Sequence, residues 1–344
     1  MTTRHPFGTT PDGRAVSRLV LGGEPGLELH LLDLGATIHR LRVTGADGVR
    51  RDVALGHPAA ADYVASDAYL GATVGRYANR IRAGRFELDG AAVQVPPNDR
   101  GNALHGGPEG FDARVWNVVE ATDDTAVLTL TSPDGDQGFP GQVEVTARFV
   151  VGTDALDLEL TASTDAATVV NLTQHVYLNL DGEGSGTVDD HELQVLASRY
   201  VPVDATGIPL DGYAPVDGTP FDLRTPRRVG DVVRQGHEQL VPAQGLDHDL
   251  VPDGSGVREV ARLRGPVSGT VLTLSTDQPG LQVYTGNFLD GTLPSPSGGR
   301  YRQGDGIALE PQLHPDSPNR PALADPVLRP GETYRWRAVW RFGS

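Results

Sequence analysis

The run Asn171-Leu172-Thr173-Gln174-His175-Val176-Tyr177-Leu178-Asn179-Leu180 alternates between two kinds of side chain. A strand has a side-chain period of two, so Asn171, Thr173, His175, Tyr177 and Asn179 share one face, while Leu172, Gln174, Val176, Leu178 and Leu180 share the other. A polar strand face that only met water would carry Lys, Glu or Arg. This one carries neutral hydrogen-bonding groups and a single imidazole, the lining expected for an uncharged, polyhydroxylated ligand. His175, at its centre, is the first candidate for chemistry.

The rest of the chain reads the same way. Val143-Glu-Val-Thr-Ala-Arg-Phe and Leu156-Asp-Leu-Glu-Leu-Thr-Ala alternate as antiparallel strands do, as do Leu27 to Leu31 and Gly35 to Val43. Tyr334-Arg-Trp-Arg-Ala-Val-Trp-Arg-Phe predicts a closing strand with its aromatics in the core. The 344 residues include 43 Gly and 26 Pro, which favours turns between short strands over long helices. An all-β protein follows. With no repeat, linker or heptad pattern, residues 1–344 are expected to form a single domain.

Charge narrows the function. A net charge of −16 and a pI near 4.9 disfavour nucleic acid and anionic membranes as partners, and mildly disfavour an anionic substrate. All 29 basic residues are arginine, so Schiff-base and P-loop lysine chemistry are excluded. No cysteine is present, which removes disulfides, thiolate metal sites and a thiol nucleophile. The first eight residues lack an apolar signal core, and no run approaches the roughly 20 apolar residues that span a bilayer. The expectation is a soluble cytoplasmic protein, monomeric or homodimeric.

Several short segments carry candidate groups. Gly75-Arg-Tyr-Ala-Asn-Arg-Ile-Arg places Arg76, Asn79, Arg80 and Arg82 among small residues, either as a solvated loop or as donors to ligand hydroxyls. His105 precedes two glycines that permit close backbone approach. Asp247 and Asp249 flank His248, as a surface pair or as part of a site. Gln282 and Tyr284 oppose Leu281 and Val283. Glu310 and Gln312 oppose Ile307 and Leu309, so Glu310 is either buried for a purpose or on an exposed edge, and Pro311 fits an edge or a bulge. The ten histidines are scattered without ligand spacing, and no metal site is expected.

Taken in order, Gly75-Arg-Tyr-Ala-Asn-Arg-Ile, Leu104-His-Gly-Gly, Asn171 to Leu180, Leu246-Asp-His-Asp, Tyr284-Thr-Gly-Asn-Phe-Leu and Leu309-Glu-Pro-Gln-Leu-His-Pro-Asp-Ser-Pro-Asn resemble the aldose 1-epimerases, or galactose mutarotases. The similarity runs from about Phe7 to Phe342. It implies a large antiparallel β-sandwich of the galactose mutarotase-like supersandwich type, with a sugar cleft on one sheet. It further implies a cofactor-independent isomerase that interconverts the α and β anomers of a free hexose such as galactose or glucose. By carry-over Glu310 matches the general base and His175 the general acid. Asn79, Arg80, His105, Tyr177, Asp247 and Gln282 match positions that hold sugar hydroxyls or the ring oxygen. Pro311 departs from the family, where many relatives carry Thr, and should stiffen the backbone of Glu310 without removing its carboxylate.

The chemistry asks for such a pair independently. Opening an aldose ring removes a proton from the C1 hydroxyl and delivers one to the ring oxygen, and closure on the other face reverses both transfers. Glu310 ionised and His175 protonated at working pH would suffice, giving a bell-shaped pH profile. Three alternatives stand beside this reading. A glycosidase would need a second carboxylate, for which Asp247 is the candidate, and would leave His175 idle. A non-catalytic sugar-binding module would need a damaged Glu or His, and both are present. A sugar-phosphate epimerase of the same fold is disfavoured by the acidic chain.

Overall fold

The segment Tyr334–Gly343 lies at the centre of the larger sheet, which explains its composition. Trp336, Ala338, Trp340 and Phe342 point into the core, while Arg335, Arg337 and Arg341 point away. The structure, a computed structural model, describes residues 3–343. Strands hold 45% of the chain and helices 9%, as the turn-rich composition requires. Among the described residues no helix is long and apolar enough to cross a membrane.

The nine-stranded antiparallel sheet runs, in spatial order, Asn117–Ala121, Thr125–Ser132, Val143–Val151, Ala155–Thr164, Tyr334–Gly343, Val271–Thr276, Arg258–Arg264, Glu192–Val195 and Arg227–Arg228. A six-stranded sheet runs Tyr177–Leu178, Ile307–Gln312, Gly280–Tyr284, Asp247–Pro252, Ala197–Tyr200 and Ala214–Pro215. Leu158, Leu274 and Trp336 from the first belong to the same apolar cluster as Leu250, Leu281, Val283, Ile307 and Leu309 from the second. Burying each such side chain stabilises by about 1.5–3 kcal/mol relative to exposure, so this shared face orients both sheets. A five-stranded amino-terminal sheet, Thr3 to Asp52 with strands in chain order, adds Leu19, Leu29 and Ile38 to that cluster.

Period-two geometry then decides what the six-stranded sheet shows on its other side. Asp247, Gln282, Tyr284 and Glu310 sit on the face opposite Leu281, Val283 and Leu309, and they open into a cleft. The register is Asp249–Gln282–Glu310 in one cross-strand row and Asp247–Tyr284–Ala308–Tyr177 in the next. Glu310 is therefore on an interior strand, 1% exposed, and the exposed-edge reading is excluded. Pro311 stands beyond the two residues, Ile307 and Ala308, that pair with Tyr177–Leu178, in the half of the strand that is locally an edge. Its carbonyl accepts from Thr173 Oγ1 and from Trp336 Nε1, the latter at 2.7 Å, tying the strand of Glu310 to the larger sheet.

The expected continuous strand from Asn171 to Leu180 is broken. Thr173–Gln174 pairs with Thr73–Val74, whereas Tyr177–Leu178 pairs with Ile307–Gln312, so the chain changes neighbours at His175. Asn171, Thr173 and Asn179 do not line the cleft. Asn171 and Asn179 donate to the carbonyls of Ala78, Gly186 and Asp305, and Thr173 to that of Pro311, so their polarity knits backbone.

Candidate active site

The cleft encloses about 610 Å³, and the six residues expected to bind sugar all line it, together with His175 and Glu310. Arg80–Ile81 pairs with Ala103–Leu104, which brings Asn79 against His105. Gly106 permits this approach, since a Cβ there would lie 2.2 Å from the Gly75 carbonyl oxygen and its φ is +92°. Asn79 and His105 are themselves left-handed, with φ of 63° and 53°. Such a conformation costs of order 1–3 kcal/mol at a non-glycine residue, which the surrounding contacts offset. The Asn79 amide donates to His105 Nδ1 at 3.1 Å, and Asn79 Oδ1 accepts from the Arg80 amide at 2.8 Å.

That first bond fixes chemistry. With Nδ1 used as an acceptor, a neutral His105 carries its proton on Nε2 and is a hydrogen-bond donor. Burial, followed by the nearby charges of His175 and Arg80, pushes the His105 imidazole well below its ordinary range, so it is neutral. His105, His175 and Glu310 bring nitrogen and oxygen atoms within 4.8 Å of one another, close enough to suggest a metal site. A metal needs a bare nitrogen lone pair, and the Asn79 amide occupies or opposes the tautomer that would provide it. The trio fits a hydroxylic ligand better than a cation.

Glu310 and His175 face each other at the floor, with Oε2 and Nε2 3.5 Å apart and side chains 2% and 6% exposed. Glu310 Oε2, His175 Nδ1 and Gln282 Oε1 are buried without a hydrogen-bond partner, unmet polarity that a ligand would satisfy. Burial pushes the Glu310 carboxyl well above the usual carboxylate range; Asp247 adds to this and Arg80 opposes it. Burial also pushes His175 down to about 4. The expected ionised Glu310 and protonated His175 are thus not the state that burial on the cleft floor favours, because removing both from water penalises both charges. The pair still holds one proton between its two titration steps, and those steps belong to the pair.

Charge around the dyad is organised by Arg80, itself only 6% exposed. Its Nε donates to Asp99 Oδ2 at 2.7 Å and its Nη2 lies 3.7 Å from Asp247 Oδ2. Asp247 Oδ1 accepts from Gln282 Nε2 at 2.6 Å, so the carboxylate on which a glycosidase would depend is already engaged. Arg76 turns the other way: its guanidinium is buried against the carbonyls of Ser132, Pro133, Pro140 and Gly141, and it does not reach the cleft. Of the three arginines, only Arg80 becomes part of the site.

Sequence reasoning missed Tyr69, which packs edge-on to His105 at 4.6 Å and is tilted against His175 at 6.0 Å. Nothing in Asp67-Ala-Tyr-Leu marks it. Asp99 was also missed, in the turn-rich segment Pro96-Pro-Asn-Asp-Arg-Gly. Tyr284 was placed on the correct face without a role, and lies 6.4 Å ring to ring from His175.

The family model described as aldose 1-epimerase matches residues 17–341. The chain belongs to the aldose 1-epimerase family. An aldose 1-epimerase of Escherichia coli (strain K12) is 40% identical over 337 residues, covering 96% of each chain. A galactose mutarotase of Mus musculus is 38% identical over 341 residues, covering 99% of this chain and 98% of the relative. Among solved structures, a GalM/aldose epimerase homologue from C. elegans superposes with a TM-score of 0.89 at 32% identity, over 96% of this chain and 99% of the other. A galactose 1-epimerase from Lactobacillus acidophilus NCFM gives 0.87 at 31%, over 100% and 98%. Membership of this family makes the protein an isomerase with the galactose mutarotase-like all-β fold.

Proposed function

We propose that this aldose 1-epimerase interconverts the α and β anomers of a free hexose, galactose or glucose, by opening and reclosing the ring. The observation that carries the reading is the buried carboxylate–imidazole pair at 3.5 Å on the cleft floor. In the productive state the shared proton rests on His175. Glu310 then removes the C1 hydroxyl proton while His175 protonates the ring oxygen, so the C1–O5 bond breaks and a free aldehyde forms. Rotation about C1–C2 followed by the reverse transfers yields the other anomer, with both groups restored. Arg80 favours ionised Glu310, and Asn79, His105, Tyr177, Asp247 and Gln282 hold hydroxyls. Aldoses that leave these buried groups unpaired are rejected.

The reading extends to a cytoplasmic enzyme of one domain, a monomer or homodimer without a nucleic-acid or membrane partner, supported by its acidic surface charge. The test is polarimetry on freshly dissolved α-D-galactose and α-D-glucose. Each of Glu310→Gln and His175→Asn is expected to reduce kcat by about 10²–10⁴. The double variant should lose little more than the worse single one, because the two act as a unit. The wild-type kcat/KM should be bell-shaped in pH. A wild type no faster than spontaneous mutarotation on both sugars would defeat the proposal.

A further inference from the structure

The strand Asp247–Pro252 places two aspartates on the cleft-bearing face, and only Asp247 lines the cavity. Asp249 is engaged elsewhere: its Oδ2 lies 2.5 Å from His314 Nδ1, and the two side chains are 0% and 1% exposed. Gly280 makes room for this contact, since a Cβ there would stand 2.5 Å from Asp249 Oδ1 and 3.0 Å from His314 Nδ1. Register sets Asp249 beside Gln282, and Gln282 beside Glu310. Two buried carboxylates therefore share one cross-strand row, separated by an uncharged amide. Strands spaced about 4.8 Å apart put their backbones about 10 Å from each other.

A bare Asp249 would hinder a base at position 310. Two like charges about 10 Å apart, at an effective dielectric of about 20, repel enough to raise proton affinity by about one pH unit. Among the described residues His314 is the basic group in ion-pair contact with Asp249. The other groups facing the pair do not neutralise it. Tyr213 presents its ring to His314 at 5.4 Å, with Arg199 over that tyrosine at 4.7 Å, and Tyr77 Oη donates to the His314 carbonyl. Around Glu310 stand His175, Arg80 and Asp247, with the hydroxyls of Tyr177 and Tyr284. Arg80 is already shared between Asp99 and Asp247.

We propose that His314 is a positioning residue for the epimerase reaction: it carries a proton as counter-ion of Asp249 and cancels that charge, leaving Glu310 free to ionise. The proposal rests on Glu310 being the base, as inferred above. Burial pushes the Asp249 carboxyl upward, and the contact with His314 offsets part of that rise. Neither residue touches the sugar, so the effect is on when the dyad is competent rather than on how tightly substrate binds.

The experiment is the pH dependence of kcat/KM for mutarotation in His314→Gln, Asp249→Asn and the double variant. His314→Gln, which leaves the carboxylate bare, is expected to move the low-pH limb upward by about one unit with little change in KM. Asp249→Asn on that background should return the limb to within about 0.3 unit of wild type, a rescue that lost packing would not produce. An unmoved limb in the single variant, or a double variant displaced as far as the single, overturns the proposal. Nitrogen-15 NMR of histidine-labelled wild type gives a second reading that needs no folded His314→Gln. Both His314 ring nitrogens should carry hydrogen in wild type and one should lose it in Asp249→Asn, and a wild-type ring with one bare nitrogen overturns the proposal. Absence of any wild-type mutarotation would strike the functional reading and leave the NMR result to decide the ion pair.

Discussion

Arg76→Met separates structure from catalysis within a single motif. The Arg76 Nη1 donates to the carbonyls of Pro140 and Gly141, each at 2.8 Å, and to Thr168 Oγ1 at 3.3 Å. Its Nη2 donates to Ser132 O, Ser132 Oγ and Pro133 O at 3.1, 2.7 and 3.0 Å. Burial draws its pKa down to about 10, leaving it charged at neutral pH. Methionine fills similar volume but takes this donor from the carbonyls of Ser132, Pro140 and Gly141, while that of Pro133 keeps the Asp136 amide at 3.1 Å. At about 1 kcal/mol each, the low end for buried groups left unpaired, the loss is about 3 kcal/mol. For a chain of this length the unfolding entropy is about 0.7 kcal/mol/K, so Tm should fall by about 4 °C. Calorimetry reads that fall, and polarimetry at 25 °C should find KM within about twofold of wild type. An unchanged Tm with a raised KM would refute the reasoning, because it would put this guanidinium on the sugar.

Two further perturbations follow from the buried charges. Asp99→Asn removes the carboxylate that orients Arg80 at 2.7 Å, so KM should rise several-fold with kcat held within about threefold, measured by polarimetry over a range of sugar concentrations. Burial depresses His39 to about 3 and His175 and His248 to about 4, below the 6.5 of an exposed imidazole. Folding therefore favours their neutral forms: the stability they contribute is fully present above pH 6.5 and is lost as pH falls toward 4, at about 1.4 kcal/mol per pH unit for each. The buried carboxyls of Asp52 and Asp112, raised to about 7 and about 6, act in the opposite sense, so the histidine effect is read by difference. Urea midpoints recorded from pH 7 to 4 should fall less in His39→Gln than in wild type, and two parallel series would contradict the reasoning.

What the sequence disclosed depended on range. Alternation in Val143–Val151 and in the carboxy-terminal aromatic strand reads directly as antiparallel sheet, because period two is a local property. His175, Tyr177, Gln282 and Glu310 could be singled out because each is a hydrogen-bonding group on the side of a short segment opposite its apolar residues, whereas Asn79, Arg80, His105 and Asp247 stood out only through the family resemblance. The break at His175 was not legible, since it arises when the chain leaves one neighbour for another about 130 residues further on. Arg76 and Arg80 look equivalent four residues apart; Asp99 and Asp247 claim one, and a ring of carbonyls claims the other. Tyr69 left no trace, because an aromatic beside small residues reads as ordinary core. The burial that penalises both charges of the dyad was hidden for a related reason, as pattern does not reveal how completely water is excluded.

The place of Tyr334–Gly343 has a consequence for synthesis. This strand forms ladders on one side with Ala155–Thr164 and on the other with Val271–Thr276, and both are translated before it. Until it leaves the ribosome, the nine-stranded sheet is two half-sheets with open edges, and Trp336 cannot yet reach the strand of Glu310. A nascent chain must keep those edges from pairing with other chains until Tyr334–Gly343 follows, so dependence on chaperones and sensitivity to its deletion should concentrate at this strand.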